Sequence, residues 1–255
     1  MNLQQIQFVL VEPSHPGNIG AAARAMKTMG LTRLVLVKPR QFPHADATAR
    51  AAGAADILEQ AIIVDELDAA IADCEWVIGT SVRDRRVSWP TMSPKKVTEA
   101  LVTKFEQHPE ANIAFVFGRE RTGLENSELD KTQWQVRIPA NPEYSSLNLA
   151  AAVQIIAYEL HCHLFHSDDV PAQEGERKNT GQQQRQRLAT QHELMLYYEH
   201  LQQTLEQLDF LKTKPPTKLL RKIIRLYNRA DVNIEELHIL RGILTATQNE
   251  LNKTL

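Results

Sequence analysis

Residues 138–160 read IPANPEYSSLNLAAAVQIIAYEL, a short polar loop that leads into an apolar helix. Pro139 and Pro142 lack backbone donors and favour extended backbone at the residues before them. Ser145 or Ser146 is the predicted N-cap of the helix. Its apolar stripe follows at helical spacing: Leu147, Leu149, Val153, Ile156 and Leu160. A rigid polar loop beside a helix N-terminus suits a small polar ligand, and an ordinary loop-to-helix junction has the same pattern.

Composition places the chain among water-soluble globular proteins. Its 255 residues are 43% hydrophobic and 24% charged, with a formal net charge of -2. Because no apolar run reaches the roughly 20 residues that span a bilayer, and because the N-terminus lacks the basic segment of a signal peptide, we expect a cytoplasmic protein without a membrane partner. Cys74 and Cys162 lie far apart in apolar surroundings and are predicted to be reduced core residues. No metal site is predicted.

Upstream of residue 138, short apolar runs alternate with amphipathic segments. Strands are predicted at 6–12, 34–37, 62–64, 76–79, 113–117 and 136–138. Helices are predicted at 21–31, 45–52, 54–60, 67–73 and 97–106. This alternation predicts an α/β fold, a doubly wound parallel sheet with helices on both faces.

Glycine-rich and polar segments follow the predicted strands, at 12–20, 79–86, 118–123 and 139–146. In open parallel sheets ligands bind beyond the carboxyl ends of the strands, so these segments are the predicted site. The chain contains neither the Gly-x-Gly-x-x-Gly fingerprint nor a phosphate-binding Gly-x-x-x-x-Gly-Lys-Ser/Thr loop. An ordinary dinucleotide-dependent dehydrogenase or phosphate-loop enzyme is therefore disfavoured.

The last third of the chain changes character. Residues 167–187 have almost no apolar side chains and are predicted to form a flexible linker. Helical patterns at 190–211, 217–228 and 234–251 predict a small all-helical module over 188–255. Residues 212–229 contain seven cations and no acid: Lys212, Lys214, Lys218, Arg221, Lys222, Arg225 and Arg229. Such an excess favours phosphate binding, although a solvated helix face is the common alternative.

Three segments together resemble the motifs of the SPOUT RNA methyltransferases. They are NIGAAARAM at 18–26, FGRERTGLENSEL at 117–129 and IPANPEYSSLNLAAAV at 138–153. The second and third are closest to bacterial tRNA 2′-O-methyltransferases of that family. The resemblance covers residues 3–166 well and is weaker from residue 185. It implies a deep trefoil knot at the C-terminal end of domain 1–166, a homodimer, and S-adenosyl-L-methionine bound in the knot.

The resemblance also implies roles for individual residues. Arg24 matches the catalytic arginine, Asn18 and Ser146 lie at the reaction centre, and Asn148 completes the pocket. Cofactor-binding positions are Thr80, Ser81, Val82, Gly118, Ile138, Ser145, Ser146 and Leu147. RNA-binding positions are Arg24, Arg83, Arg85, Arg86, Arg119, Lys218, Arg221, Lys222 and Arg225. Arg119 and Glu120 are expected to form an ion pair, and Gly118 to let the backbone approach the ligand closely.

The substrate implied by the resemblance is tRNA, at the 2′-hydroxyl of cytidine or uridine 32 in the anticodon loop. Two other interpretations remain open at this point. One is a SPOUT 2′-O-methyltransferase that acts on ribosomal RNA, and the other is a non-catalytic RNA-binding protein of the same fold. The matched motif positions favour an enzyme. The sequence of residues 141–148, NPEYSSLN, and the C-terminal extension favour tRNA.

Overall fold

The structure, a computed structural model, describes residues 3–81, 91–165, 187–211 and 217–254. The chain divides into two units, Met1–Gln173 and Glu174–Leu255. The predicted domain boundaries at 166 and 188 stay predictions, because almost all of the predicted linker lies outside the described residues.

The described residues of the first unit form a seven-stranded sheet in the order β3-β2-β1-β6-β4-β7-β5. Every pairing between neighbouring strands is parallel, as predicted. The strands are β1 (Ile6–Val11), β2 (Arg33–Val37), β3 (Ile62–Val64), β4 (Trp76–Thr80), β5 (Thr91–Met92), β6 (Ile113–Phe117) and β7 (Trp134–Val136). The chain extends the sheet from β1 in one direction to β3 and then crosses to its other side. That reversal creates the switch point at which α/β sheets bind ligands.

Helices connect these strands. They are α1 (Pro16–Thr28), α2 (Ala45–Ala51), α3 (Ala55–Glu59), α4 (Leu67–Ile71), α5 (Pro94–Gln107), α6 (Asn126–Leu129) and α7 (Leu149–Phe165). α1 packs against α2 and α7, and α7 also packs against α5. None of the described helices is long and apolar enough to cross a membrane.

Alternating strand residues build a core on each face of the sheet. Val9 and Val116 pack with Ile71 of α4 on one face. On the other face the ring of Phe8 lies 5.3 Å from that of Phe117, and Trp76 meets Phe105 of α5 edge-on at 5.9 Å. The predicted cover of helices on both faces is therefore confirmed. Cys74 belongs to the first core, where burial raises the pKa of its thiol to about 12 and keeps it protonated.

Several predicted boundaries were wrong for identifiable reasons. α1 begins at Pro16 instead of residue 21, because proline fits the first turn of a helix, where its missing donor costs nothing. α7 begins at Leu149, and its cap is Asn148 instead of Ser145 or Ser146. β7 ends at Val136, where a strand over 136–138 was predicted. The short β5 and α6 were not predicted, since two to four residues carry too little periodicity.

The described part of the second unit consists of three helices, as predicted. Its helices are α8 (Gln191–Gln207), α9 (Thr217–Asn228) and α10 (Ile234–Thr254). Thr190 and Glu193 form a reciprocal capping box at the start of α8. The module has its own core, in which the ring of Tyr197 meets Tyr227 edge-on at 5.1 Å. The hydroxyl of Tyr198 donates to Oδ1 of Asn228 at 2.6 Å and connects α8 to α9.

Candidate active site

A cavity of about 420 Å³ lies beyond the carboxyl ends of β4, β6 and β7. Seven of the eight predicted cofactor positions line it: Thr80, Ser81, Gly118, Ile138, Ser145, Ser146 and Leu147. The eighth, Val82, lies outside the described residues. These positions belong to three segments of the sequence, at 80–81, 118 and 138–147, which are separated by 20 to 40 residues. The segments meet around one cavity, as expected for motifs at strand ends. The volume lies within the range of about 300–1,000 Å³ that is typical of small-molecule sites.

Hydrogen bonds to the sheet hold the walls of this cavity. The hydroxyl of Thr80 donates to the carbonyl oxygen of Val116 at 3.1 Å. The backbone amide of Ser81 donates to the carbonyl oxygen of Val136 at 3.0 Å. Because both bonds join neighbouring strands at their carboxyl ends, the polar wall is continuous with the rigid sheet.

The cavity has ten further lining residues that the sequence analysis did not name as cofactor positions, although its predicted site segment 118–123 includes five of them. They are Phe117, Arg119, Glu120, Arg121, Thr122, Gly123, Leu124, Val136, Leu149 and Ala152. Most of them belong to the loop that follows β6. Gly118 and Gly123 lie at the two ends of this loop in the sequence. This pair of glycines could have predicted a tight turn beside a cavity.

Gly118 is required by its own loop, a reason that the sequence analysis did not give, and its close approach to the ligand stays a prediction. A Cβ added at Gly118 would lie 2.2 Å from both the carbonyl carbon of Gly123 and the amide nitrogen of Leu124. Gly123 adopts a left-handed φ of +67°, and its amide donates to the carbonyl oxygen of Arg119 at 2.8 Å. The loop after β6 therefore folds back on itself in a way that only glycine at 118 permits.

Arg119 and Glu120 were expected to pair with each other, and this expectation was wrong. The guanidinium of Arg119 pairs with Glu12, with Glu128 at 3.0 Å and with Glu125 at 3.9 Å. The hydrogen bond to Arg119 holds the pKa of Glu12 below its usual value. The Arg119 side chain is only 18% exposed, so it braces the loop after β6 against the end of β1. Its contact with RNA stays a prediction.

Glu120 instead accepts hydrogen bonds from the segment that opens α1. Its carboxylate accepts from the hydroxyl of Ser14 at 2.9 Å, from the amide of His15 at 3.2 Å and from the side-chain amide of Asn18 at 3.1 Å. Burial opposes ionisation most strongly, but the hydrogen bonds that the carboxylate accepts from Asn18, from its own backbone amide and from Ser14 together outweigh it and lower the pKa of Glu120. An ionised carboxylate at the start of α1 also suits the helix dipole.

A second hydrogen bond connects Asn18 to the loop of the cofactor positions. Nδ2 of Asn148 donates to Oδ1 of Asn18 at 2.9 Å. Oδ1 of Asn148 accepts from the amide of Ala150 at 2.9 Å and so caps α7. All three SPOUT-like motifs thus meet through Glu120, Asn18 and Asn148.

The three predicted catalytic residues occupy different places. Ser146 is exposed at the wall of the cavity, and Asn18 lies in the hydrogen-bonded network beside it. Arg24 is exposed on α1 and does not line the cavity. Within the described part of the chain its guanidinium makes no ion pair or hydrogen bond. Its charge is therefore available to an outside partner.

Only some of the predicted RNA-binding cations lie among the residues that the structure describes. Arg83, Arg85 and Arg86 lie outside the described residues, and so does the side chain of Lys218. Lys222 is exposed on α9 and Arg221 is half-buried. Nε and Nη2 of Arg225 are buried, so this residue is at least partly a packing element. Among the described residues no group of His, Cys, Asp and Glu is arranged to hold a metal ion.

Comparison with protein families decides what kind of protein carries this cavity. Residues 5–158 match the model of the SpoU rRNA methylase family. This chain belongs to the SpoU methylase family. Residues 192–255 match a second model, described as the C-terminal domain of the tRNA methyltransferase TrmJ. The resemblance to SPOUT methyltransferases, stated from three motifs, is thereby confirmed.

Curated members of the SpoU family resemble the chain over nearly its whole length. A tRNA (cytidine/uridine/adenosine-2′-O-)-methyltransferase TrmJ of Pseudomonas aeruginosa is 48% identical, over 96% of this chain and 95% of the relative. A tRNA (cytidine/uridine-2′-O-)-methyltransferase TrmJ of Pectobacterium atrosepticum is 46% identical, over 96% and 98%. The crystal structure of TrmJ from Z. mobilis has a TM-score of 0.78 and 32% identity, over 95% and 98%.

Proposed function

We propose that this SpoU-family protein is an S-adenosyl-L-methionine-dependent tRNA ribose 2′-O-methyltransferase. The observation that carries the proposal is the cavity itself, because the described cofactor positions all line it and the Asn18–Asn148 hydrogen bond lies at its edge. Near full-length similarity to proteins named tRNA 2′-O-methyltransferases supports the same activity.

The lining of the cavity fits S-adenosylmethionine. The loops at Gly118 and at 145–147 offer backbone polar groups, while Phe117, Ile138 and Leu149 offer apolar surface for a ring. A mixed lining of this kind is typical of cofactor sites. When bound, S-adenosylmethionine supplies an electrophilic methyl group on a positively charged sulfur.

The protein must present a ribose 2′-hydroxyl in line with that methyl group. A hydroxyl is a weak nucleophile until its proton is removed or tightly hydrogen-bonded, and in-line placement at about 3 Å carries much of the rate. Arg24 is a poor base because a guanidinium holds its proton strongly. We assign it to orienting a phosphate and the hydroxyl, while a neighbouring phosphate or water takes the proton.

Asn18 and Ser146 position the reacting ribose in this proposal. Asn18 is fixed from both sides, since it donates to Glu120 and accepts from Asn148. Glu120 is itself a weak base here, because its carboxylate accepts several hydrogen bonds and has a lowered pKa. Its role is to hold the start of α1 in place.

The proposal extends to the target nucleotide. The assignment of cytidine or uridine at position 32 of the anticodon loop as the target rests on the family resemblance. The names of the relatives include cytidine and uridine and give no position. Nucleoside analysis of tRNA modified by the protein, followed by sequencing of the methylated oligonucleotide, would correct the position without removing the reaction class.

We also propose the knotted homodimer and the cytoplasmic location of SPOUT enzymes for this protein. α7 supports a dimer, because it is a strongly apolar helix that leaves Tyr158 52% exposed while its other side packs against α1 and α5. Exposed aromatic residues on an apolar helix are enriched at interfaces between subunits. Sedimentation of the full-length protein at several concentrations tests this assembly.

The helical module is the proposed second contact for tRNA. Lys222 and Arg229 are exposed there, and cations that neutralise phosphates supply most of the non-specific affinity for nucleic acid. Arg221 contributes from a half-buried position. Lys218, Arg83, Arg85 and Arg86 remain in the proposal as further RNA contacts.

The decisive experiment incubates the protein with labelled S-adenosylmethionine and total tRNA and then analyses the nucleosides. A 2′-O-methylated pyrimidine nucleoside is the expected product. Ribosomal RNA, offered in parallel, tests the alternative substrate. Binding of tRNA without any transfer of label would identify a non-catalytic RNA-binding protein. Calorimetry with S-adenosylmethionine and its demethylated product should show binding, and its absence in folded protein would defeat the cofactor assignment.

A further inference from the structure

A groove of about 550 Å³ lies between α1 and α2, next to the candidate active site. Residues of three segments line it, among them His15, Asn18, Ala21, Asp46, Arg50 and Asn148. Asn18 and Asn148 form its wall on the side of the cofactor cavity, because Leu147 and Leu149, which flank Asn148 in the sequence, line that cavity. The groove and the cavity are therefore neighbours.

Arg50 gives this groove its cation. The residue is exposed in the last turn of α2, and a Cβ built on Gly17 would lie 3.5 Å from its Cγ. Its guanidinium makes no ion pair or hydrogen bond with any residue that the structure describes, including Asp46 one turn earlier. A cation at a fixed place in a groove beside an RNA-modifying centre is suited to a backbone phosphate.

α2 is held rigidly against α1, so the position of Arg50 is well defined. A Cβ on Gly20 would lie 2.0 Å from the carbonyl oxygen of Ala47, which means that the two helix backbones are in direct contact. Ala21 lines the groove, and Arg24 follows it by three residues. Residues at this spacing are neighbours on a helix surface, so Arg24 lies at the end of the groove.

We propose that the α1–α2 groove binds the RNA backbone next to the target nucleotide, with Arg50 contacting a phosphate. The inference rests on the proposed function and adds a substrate contact to it. The methyl acceptor would lie at the Asn18–Asn148 wall, and the chain of phosphates would run along α1 between Arg50 and Arg24. Arg50 is a positioning residue in this arrangement, because it does not touch the reacting atoms.

The test compares variants of the full-length protein for tRNA methylation and for tRNA binding at several salt concentrations. Arg50→Gln should raise KM for tRNA by roughly 3- to 10-fold, leave kcat within about twofold, and reduce the salt slope of binding by about one unit. Arg50→Lys should restore most of the affinity. Asp46→Asn removes an anion from the same groove and should lower KM. Lys96→Gln, an exposed cation on α5, is the matched control and should behave as wild type.

An unchanged KM and salt slope in Arg50→Gln would overturn the proposal. Loss of cofactor affinity, or a changed oligomeric state, would overturn it as well, because the groove would then serve the cavity or a subunit contact. The proposed enzymatic function can fail separately. If wild-type protein binds tRNA with an Arg50-dependent salt slope but transfers no methyl group, the groove assignment stands and the methyltransferase assignment falls.

Discussion

Nδ2 of Asn148 donates a 2.9 Å hydrogen bond to Oδ1 of Asn18, a residue 130 positions earlier in the chain. The same Asn148 side chain caps α7 through its oxygen. One amide therefore fixes both the start of α7 and the side chain of Asn18, which we propose positions the substrate. A displacement of the loop at 138–148 would therefore also displace the side chain of Asn18.

Two substitutions at Asn148 separate these functions. Asn148→Asp keeps the oxygen that caps α7 but removes the donor to Asn18, so kcat should fall while the melting temperature stays close to wild type. Asn148→Ala removes both bonds and should in addition cost about 1 kcal/mol of unfolding free energy, the usual value of a lost N-cap. Thermal unfolding and single-turnover methylation measure the two effects. Equal activity of Asn148→Asp and wild type would contradict a positioning role for the bond.

Arg24→Ala should abolish methyl transfer while it leaves both cofactor affinity and stability nearly unchanged. The guanidinium is exposed and makes no ion pair or hydrogen bond within the described residues, so its loss removes no contact that the fold depends on. Arg24→Lys keeps the charge but loses the planar fork of donors, and should recover only part of the rate. Single-turnover rates and calorimetry are the measurements. Turnover within a few-fold of wild type in Arg24→Ala would remove the residue from the reaction.

Gly118→Ala should damage the cofactor site. The new Cβ would meet backbone atoms of the loop at 2.2 Å, so the loop must shift, at a cost of about 1–3 kcal/mol in unfolding free energy. Because that loop lines the cavity, affinity for S-adenosylmethionine should fall at least tenfold. Gly53→Ala is the control, since its Cβ would enter open space, and its effect should stay within about 0.5 kcal/mol. Normal cofactor affinity in Gly118→Ala would show that the loop is not part of the binding site.

Glu120 should make stability sensitive to acid. Its pKa is lower in the folded protein than the usual 4.5, so folding favours the ionised form. The stabilisation is fully present above about pH 4.5 and is lost as pH falls through the lower folded pKa. Glu120→Gln cannot ionise and should lose stability at neutral pH, with a flatter decline below pH 4.5. Urea unfolding between pH 3 and pH 7 compares the two proteins, and parallel curves would contradict this role.

Charge reversal at Lys222 and Arg229 tests the tRNA contact of the helical module. Both side chains are exposed, so the double Glu variant should weaken tRNA binding and flatten its salt dependence by about two units. Cofactor affinity and melting temperature should not change. Arg225 is unsuitable for such a test because its buried Nε and Nη2 make it a packing residue as well. Lys253→Glu, an exposed cation on α10, is the control. An unchanged salt slope in the double variant would contradict this tRNA contact and leave Arg83, Arg85 and Arg86 as the proposed RNA contacts to be tested next.

The sequence predicted the sheet and most of the cavity, because both depend on local patterns. The buried strand β6 is a continuous apolar run and β1 is interrupted only by Gln7, and Gly118 and Ser145 follow strand ends where parallel sheets bind ligands. The partners of side chains were harder to predict. Arg119 and Glu120 are adjacent and opposite in charge, yet Arg119 forms an ion pair with Glu12 and Glu120 accepts a hydrogen bond from Asn18. Contacts between residues more than 100 positions apart have no signature in a single sequence.

The place of β7 in the sheet has a consequence for the nascent chain. Of the strands that the structure describes, β7 is the last to leave the ribosome, yet it lies between β4 and β5 and is the partner to which β5 is paired. The amide of Ser81 likewise bonds to the carbonyl oxygen of Val136 at its end. Until residues 134–137 have been synthesised, the edge that holds Thr80 and Ser81 has no neighbour on that side. Because Ile138 and Ser145 to Leu147 also line the cavity, its wall is complete only after more than half of the polypeptide has been made.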